Sequence, residues 1–181
     1  KSGKSTKSYD GNAKDEKNCY LRFRKCIQKL IRRNIMSTIK LHMVFKAAPE
    51  KIYKAFMDAD AQAKWLPPHG FTCKVHHMDS KVGGTYKMSF TNFTTGKSHS
   101  FGGKFLEIIP NELIRYSDQF DDPNLPGEMI TTVTIKQVSC GSDVTFVQEN
   151  VPEIIPPEMC YLGWQDSLDQ LANLVNPDIP D

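Results

Sequence analysis

CYLGWQDSLDQLANLV, residues 160–175, is the stretch whose reading decides the fold. Tyr161, Trp164, Leu168, Leu171, Ala172 and Val175 recur at steps of three and four residues, the spacing that lines one face of an α-helix. Gly163 interrupts an otherwise good helix former, and a helical glycine costs about 1 kcal/mol relative to alanine. A glycine in a first turn is partly excused because helix ends fray. The sharper expectation is that a strand, loop or ligand approaches the helix at Gly163, where no side chain fits, while Trp164 fills the space beside it.

Working backwards, the stretch is preceded by six segments that read as strands: FTCKVHHM, GGTYKMSF, SFGGKFLEII, ELIRYSDQF, EMITTVTIK and DVTFVQEN. They are short, rich in β-branched and aromatic residues, and separated by the turn signals TTGK, PNE, DPNLPG and CGSD, as in an antiparallel meander. Upstream, STIKLHMVFKA alternates Ile39, Leu41, Met43 and Phe45 on one face of a further strand. APEKIYKAFMDA follows as a helix with Pro49 at its favoured first position. A short helical piece around AQAKWL then stops at Pro67 and Pro68. The order is one strand, two short helices, six strands and one long helix. A sheet of about seven strands is large enough to curl, and the final helix carries the stripe that covers its concave side.

Composition narrows the class. The chain has 181 residues, 39% hydrophobic and 24% charged, which suits one globular domain. Its net charge of +2 is divided unevenly. Residues 1–36 hold eleven Lys and Arg against three acids, a balance of +8, which leaves 12 basic against 18 acidic residues, or −6, for residues 37–181. A cationic whole-domain surface for nucleic acid is therefore not expected.

Residues 1–36 read as a basic N-terminal extension. Its first part is polar, and YLRFRKCIQKLIRRNI spaces Tyr20, Phe23, Ile27, Leu30, Ile31 and Ile35 as an amphipathic helix. Such a helix suits packing on the domain or on a second copy, a membrane surface or an acidic partner. The alternative is that this segment is not native and the working domain, residues 37–181, starts behind Met36. No long apolar run predicts a membrane span, and no secretory signal is visible, so a cytoplasmic location is expected. The five cysteines form no Cys-x-x-Cys pair, which favours free thiols.

Residues 37–175 resemble the helix-grip domains of the START-like and polyketide cyclase (SRPBCC) superfamily, and more narrowly the family named for the activator of the heat-shock protein 90 ATPase. The resemblance rests on APEKIYKAF at 48–56, Lys64 and Trp65, Gly83 and Gly84 before a strand, GKFLEIIPNELIRYS from Gly103 to Ser117, and Gly163–Trp164 followed by Leu168 and Leu171. It implies an α+β fold, a curved antiparallel sheet wrapped around a long C-terminal helix, with a cavity between them. Two departures, Leu66–Pro67 after Trp65 and RYS where relatives often place an aromatic, imply a cavity mouth and lining of its own.

Strand alternation places Tyr86, Met88 and Phe90 on one face, Ile114, Tyr116, Asp118 and Phe120 on another, and Met129, Thr131, Val133 and Ile135 on a third. Facing inward, these make either a filled core or an apolar chamber with few polar groups, the composition of a small-molecule site. Together with the resemblance they give a candidate lining: Phe56 and Trp65 from the short helices, then Tyr86, Met88, Phe90 and Phe101. Ile114, Tyr116, Asp118, Phe120, Met129 and Val133 continue it, and Trp164 and Leu168 come from the long helix.

The leading expectation is a binding domain for a hydrophobic small molecule, with no assigned reaction. The resemblance also implies two alternatives, a co-chaperone that contacts a heat-shock protein 90 ATPase and a polyketide cyclase-like enzyme. No nucleophile motif or cofactor signature is present. The Gly83–Gly84 and Gly102–Gly103 pairs precede no helix and read as sheet bends rather than phosphate cradles. His76 and His77 are neighbours on a strand and should point to opposite faces, so no metal site is expected. General acid–base candidates are Tyr116, Asp118, His76 and His77, although Asp118 reads more simply as a solvated strand-end carboxylate.

Overall fold

The computed structural model describes residues 37–178; the expected N-terminal extension lies outside the described residues. The chain forms β1 (Ser37–Phe45), α1 (Pro49–Met57), α2 (Ala59–Trp65), β2 (Phe71–Met78), β3 (Thr85–Asn92) and β4 (Ser98–Ile109). It continues through β5 (Leu113–Phe120), β6 (Met129–Val138) and β7 (Gly141–Val151) to α3 (Pro157–Val175). Every pairing is antiparallel, in the order β1-β7-β6-β5-β4-β3-β2. Strands β2 to β7 follow one another through short turns. β1 stands apart from β2 because α1 and α2 carry the chain from one edge of the sheet to the other, and β1 pairs with β7 instead. The fold is the α+β helix-grip arrangement, with a curved open sheet and a C-terminal helix.

The final helix begins four residues before the first residue of its stripe, at Pro157, whose missing N–H and fixed φ suit a first helical position. Of its buried residues, Leu168, Leu171 and Val175 join Phe45, Phe56, Val144 and Phe146 in the main core. Phe56 lies edge-on to Trp65, with ring centroids 4.7 Å apart, and at 5.9 Å from Phe146. Both ends of α3 are tied down. The Lys40 amide donates to the Tyr161 hydroxyl at 3.4 Å, and the Lys46 amide to Asn176 Oδ1 at 3.0 Å.

A helix leaves its last four carbonyls without helical partners, and at the end of α1 each of them is met. Lys54 O accepts from the Asp58 amide at 3.0 Å, and Ala55 O from the Trp65 indole at 2.9 Å. Phe56 O accepts from Gln62 Nε2 at 2.5 Å, and Met57 O from Ser80 Oγ at 2.7 Å. The short α2 is thus held by its side chains against the end of its predecessor. Beyond it, the Pro67–Pro68 corner is clasped by α3: Ser167 Oγ donates to Leu66 O at 2.6 Å and Gln170 Nε2 donates to Pro67 O. This corner and α3 form two walls of a space whose floor is the sheet.

One register detail corrects an expectation. A bulge between Val75 and His77 shifts the β2–β3 ladder. His76 Nε2 lies 3.0 Å from Ser89 Oγ and His77 Nε2 lies 3.1 Å from Thr85 Oγ1, so both imidazoles reach hydroxyls on the same face of β3 rather than opposite faces. Both histidines are exposed, away from the concave floor. Among the described residues, no three His, Cys, Asp or Glu are grouped to hold a metal ion.

Candidate functional site

Between the concave sheet, the Pro67–Pro68 corner and α3 lies a cavity of about 680 Å³, within the size range of small-molecule sites. Its floor is built from two rows across the sheet. In the first, Phe105, Tyr116, Thr131 and Gln148 stand opposite one another on β4, β5, β6 and β7. In the second, Tyr86 pairs with Gly103, and Asp118 pairs with Met129.

Glycine is required in that second row. A Cβ on Gly103 would lie 1.9 Å from the Ser117 carbonyl oxygen, and one on Gly102 would lie 2.4 Å from the Tyr86 carbonyl oxygen. The strands approach closely here, as the reading of these glycines as sheet bends expects. With no side chain in the way, the Tyr86 ring reaches over β4, and its hydroxyl donates to Ser117 O at 2.8 Å. Tyr86, Phe105 and Tyr116 pack as a cluster, with centroid separations of 5.7, 6.0 and 6.3 Å.

Two polar features break the aromatic floor. The first is Gln148, whose side-chain carbonyl accepts from the Trp164 indole at 3.0 Å while its amide donates to Thr131 Oγ1 at 3.4 Å. The second is Asp118. The single proton of the Tyr86 hydroxyl goes to Ser117, and Asp118 Oδ1 is shut off from solvent without a hydrogen-bond partner. Burial pushes this carboxyl up to about 7, and the Gln119 amide beside it opposes the rise. Burial, and next the charge of Asp118, also raises the Tyr86 and Tyr116 phenols. The expectation of a solvated strand-end carboxylate is therefore overturned: β5 runs under the cavity, and position 118 falls on its concave face.

Ten of the fourteen expected lining residues meet at this cavity: Phe56, Trp65, Tyr86, Phe90, Phe101, Tyr116, Asp118, Phe120, Met129 and Trp164. Met88, Ile114, Val133 and Leu168 do not line it. They share the expected faces but lie where those faces are pressed against neighbouring side chains in the packed core. Sequence reading missed Gln148, although it continues the alternation of Val144 and Phe146, and Gln62 and Ser167, which are polar and buried on helices. The mouth was also missed: His99, Asp121, Asp122 and Leu125 lie in or beside loops without periodicity. There Lys87 pairs with Asp121, and hydrogen bonds from the Asn124 backbone and side chain hold the Asp122 carboxyl below its usual range.

Gly163 lies on the wall of the cavity. A Cβ there would meet only Pro68 Cγ, at 4.0 Å, which is ordinary contact. No strand or loop backbone presses on the helix at this point, because α3 meets the corner through Ser167 and Gln170 instead; of the approaches expected at Gly163, that of a ligand is left.

A family model described as "Activator of Hsp90 ATPase homolog 1-like protein" matches residues 46–176. The chain belongs to this family. A crystal structure of protein CV1439 from Chromobacterium violaceum is 60% identical, with a TM-score of 0.77, covering 78% of this chain and 98% of that one. The AHSA1 protein of Silicibacter pomeroyi is 18% identical, with a TM-score of 0.65 and coverage of 76% and 96%. A protein from Rhodobacter sphaeroides, 15% identical, gives a TM-score of 0.66 with coverage of 76% and 91%. These last two share the fold. No protein with a curated description matches the chain. In this member of the Activator of Hsp90 ATPase homolog 1-like family, the Leu66–Pro67 departure shapes the site directly, since Leu66 lines the cavity and both carbonyls anchor α3.

Proposed function

We propose that the domain binds an apolar, ring-sized small molecule between the concave sheet and α3. The observation that carries this reading is the cavity itself: about 680 Å³ left open between elements that otherwise pack tightly, with aromatic walls and few polar groups. A protein interior normally fills such space, and leaving it open forgoes the dispersion contacts of every wall atom. A ligand restores them.

The test is calorimetric titration of the purified protein with apolar ring compounds, beginning with 2-ethylnaphthalene, alongside native mass spectrometry for a carried ligand. Saturable binding that is weakened by Gly163→Phe, which projects a ring from the wall, supports the reading. No bound mass and no heat across a broad apolar panel overturns it.

A further inference from the structure

We infer that the preferred ligand is an apolar amine, whose cationic N–H group is met by the Asp118 carboxyl on the cavity floor. This rests on the proposed binding of an apolar molecule and adds the chemistry of its polar end.

Three observations carry it. Asp118 lines the cavity, and because its Oδ1 is closed off and unpartnered, its second oxygen, Oδ2, is the one a ligand in the cavity can meet. A buried carboxylate is costly until a counter-charge or donor meets it. Second, among the described residues no Lys or Arg lines the cavity, so its described walls supply no such counter-charge. The Lys87 ammonium is engaged by Asp121 at the mouth. Third, the mouth carries Asp122 beside the Lys87-paired Asp121, and this acidic excess favours entry of a cation and opposes an anion. Besides these aspartates, the titratable groups that line the cavity are Tyr86 from β3, His99 from β4, Tyr116 from β5 and Cys160 from α3. The two phenols stay neutral because burial raises them. An apolar acid would set two carboxylates in one poorly hydrated space, whereas an amine forms a charge-assisted hydrogen bond there.

Four probes of nearly equal shape separate the possibilities: 2-naphthylmethylamine, 2-naphthalenemethanol, 2-ethylnaphthalene and 2-naphthoate, titrated calorimetrically at pH 8. The amine is expected to bind about tenfold or more tightly than the alcohol and the hydrocarbon, and the acid most weakly, as one charge-assisted contact implies. Asp118→Asn should bring the amine to the level of the alcohol. If that variant does not fold, the ranking of the four probes on the unaltered protein decides alone. Hydrocarbon binding without preference for the amine overturns the inference and leaves the apolar-ligand reading standing. Tighter binding of the acid also overturns it, and failure of all four probes removes both.

Discussion

The indole nitrogen of Trp164 donates to the side-chain carbonyl of Gln148 at 3.0 Å, joining α3 to the middle of β7 across the edge of the cavity. Trp164→Phe keeps a ring against Phe146, 5.5 Å away in the present structure, but leaves the Gln148 carbonyl without that donor. The loss should be about 1–3 kcal/mol of unfolding free energy, toward the lower end because cavity water can reach the site. Gln148→Leu together with Trp164→Phe should cost less than the two single changes added. Urea unfolding of the four proteins measures this, and strict additivity would show that the bond contributes nothing.

The Gly163 wall makes a second prediction, opposite in sign to what its helical position first suggests. Since an added Cβ meets only Pro68 at 4.0 Å, Gly163→Ala should raise stability by roughly 0.5–1 kcal/mol through helix propensity alone. Thermal unfolding that shows Ala to be destabilising would mean that the wall is tighter than this distance implies.

These two residues also show what could be read before the structure. Helical spacing located Trp164 and the face it shares with Leu168, because a period of 3.6 survives in one sequence. What spacing cannot distinguish is whether a face is pressed against a neighbour or left over a void. Leu168 and Met88 fill the core while Trp164 and Tyr86 border open space. That difference is set by how far the sheet curls away from α3, a property of seven strands together. Asp118 was misread for the same reason. Its position in β5 was legible, but its burial depends on Tyr86 crossing Gly103 from another strand.

The end of α1 tests how far a short helix depends on its caps. Trp65 is fully buried and donates to Ala55 O at 2.9 Å. Trp65→Phe removes both the donor and part of the side-chain volume, and should cost about 2–4 kcal/mol. Gln62→Met, which keeps volume near Phe56 O without a donor, should cost about 1–2 kcal/mol. If calorimetric unfolding placed both within a few tenths of the unaltered protein, the side-chain caps would not be what holds α1 and α2 together.

Asp118 sets a pH dependence whose sign is unusual for a carboxylate. Its carboxyl rises from an ordinary 3.8 to about 7 in the folded protein, chiefly through burial. Between these values the folded chain holds a proton that the unfolded chain has released. Stability from this group is therefore full below about pH 4 and is lost as pH rises through about 7. At about 1.36 kcal/mol per pH unit the loss would reach roughly 4 kcal/mol in a dry site, less where cavity water screens the charge. Asp118→Asn keeps the shape without the titration, so it should be less stable than, or similar to, the unaltered protein at pH 4.5 and more stable at pH 8.5. His99, Asp121 and Asp122 at the mouth are common to both proteins, and the difference between the two urea-midpoint profiles isolates Asp118. Parallel profiles across this range would show that the carboxyl ionises without penalty, and the counter-charge argued for the ligand's amine would then have nothing to relieve.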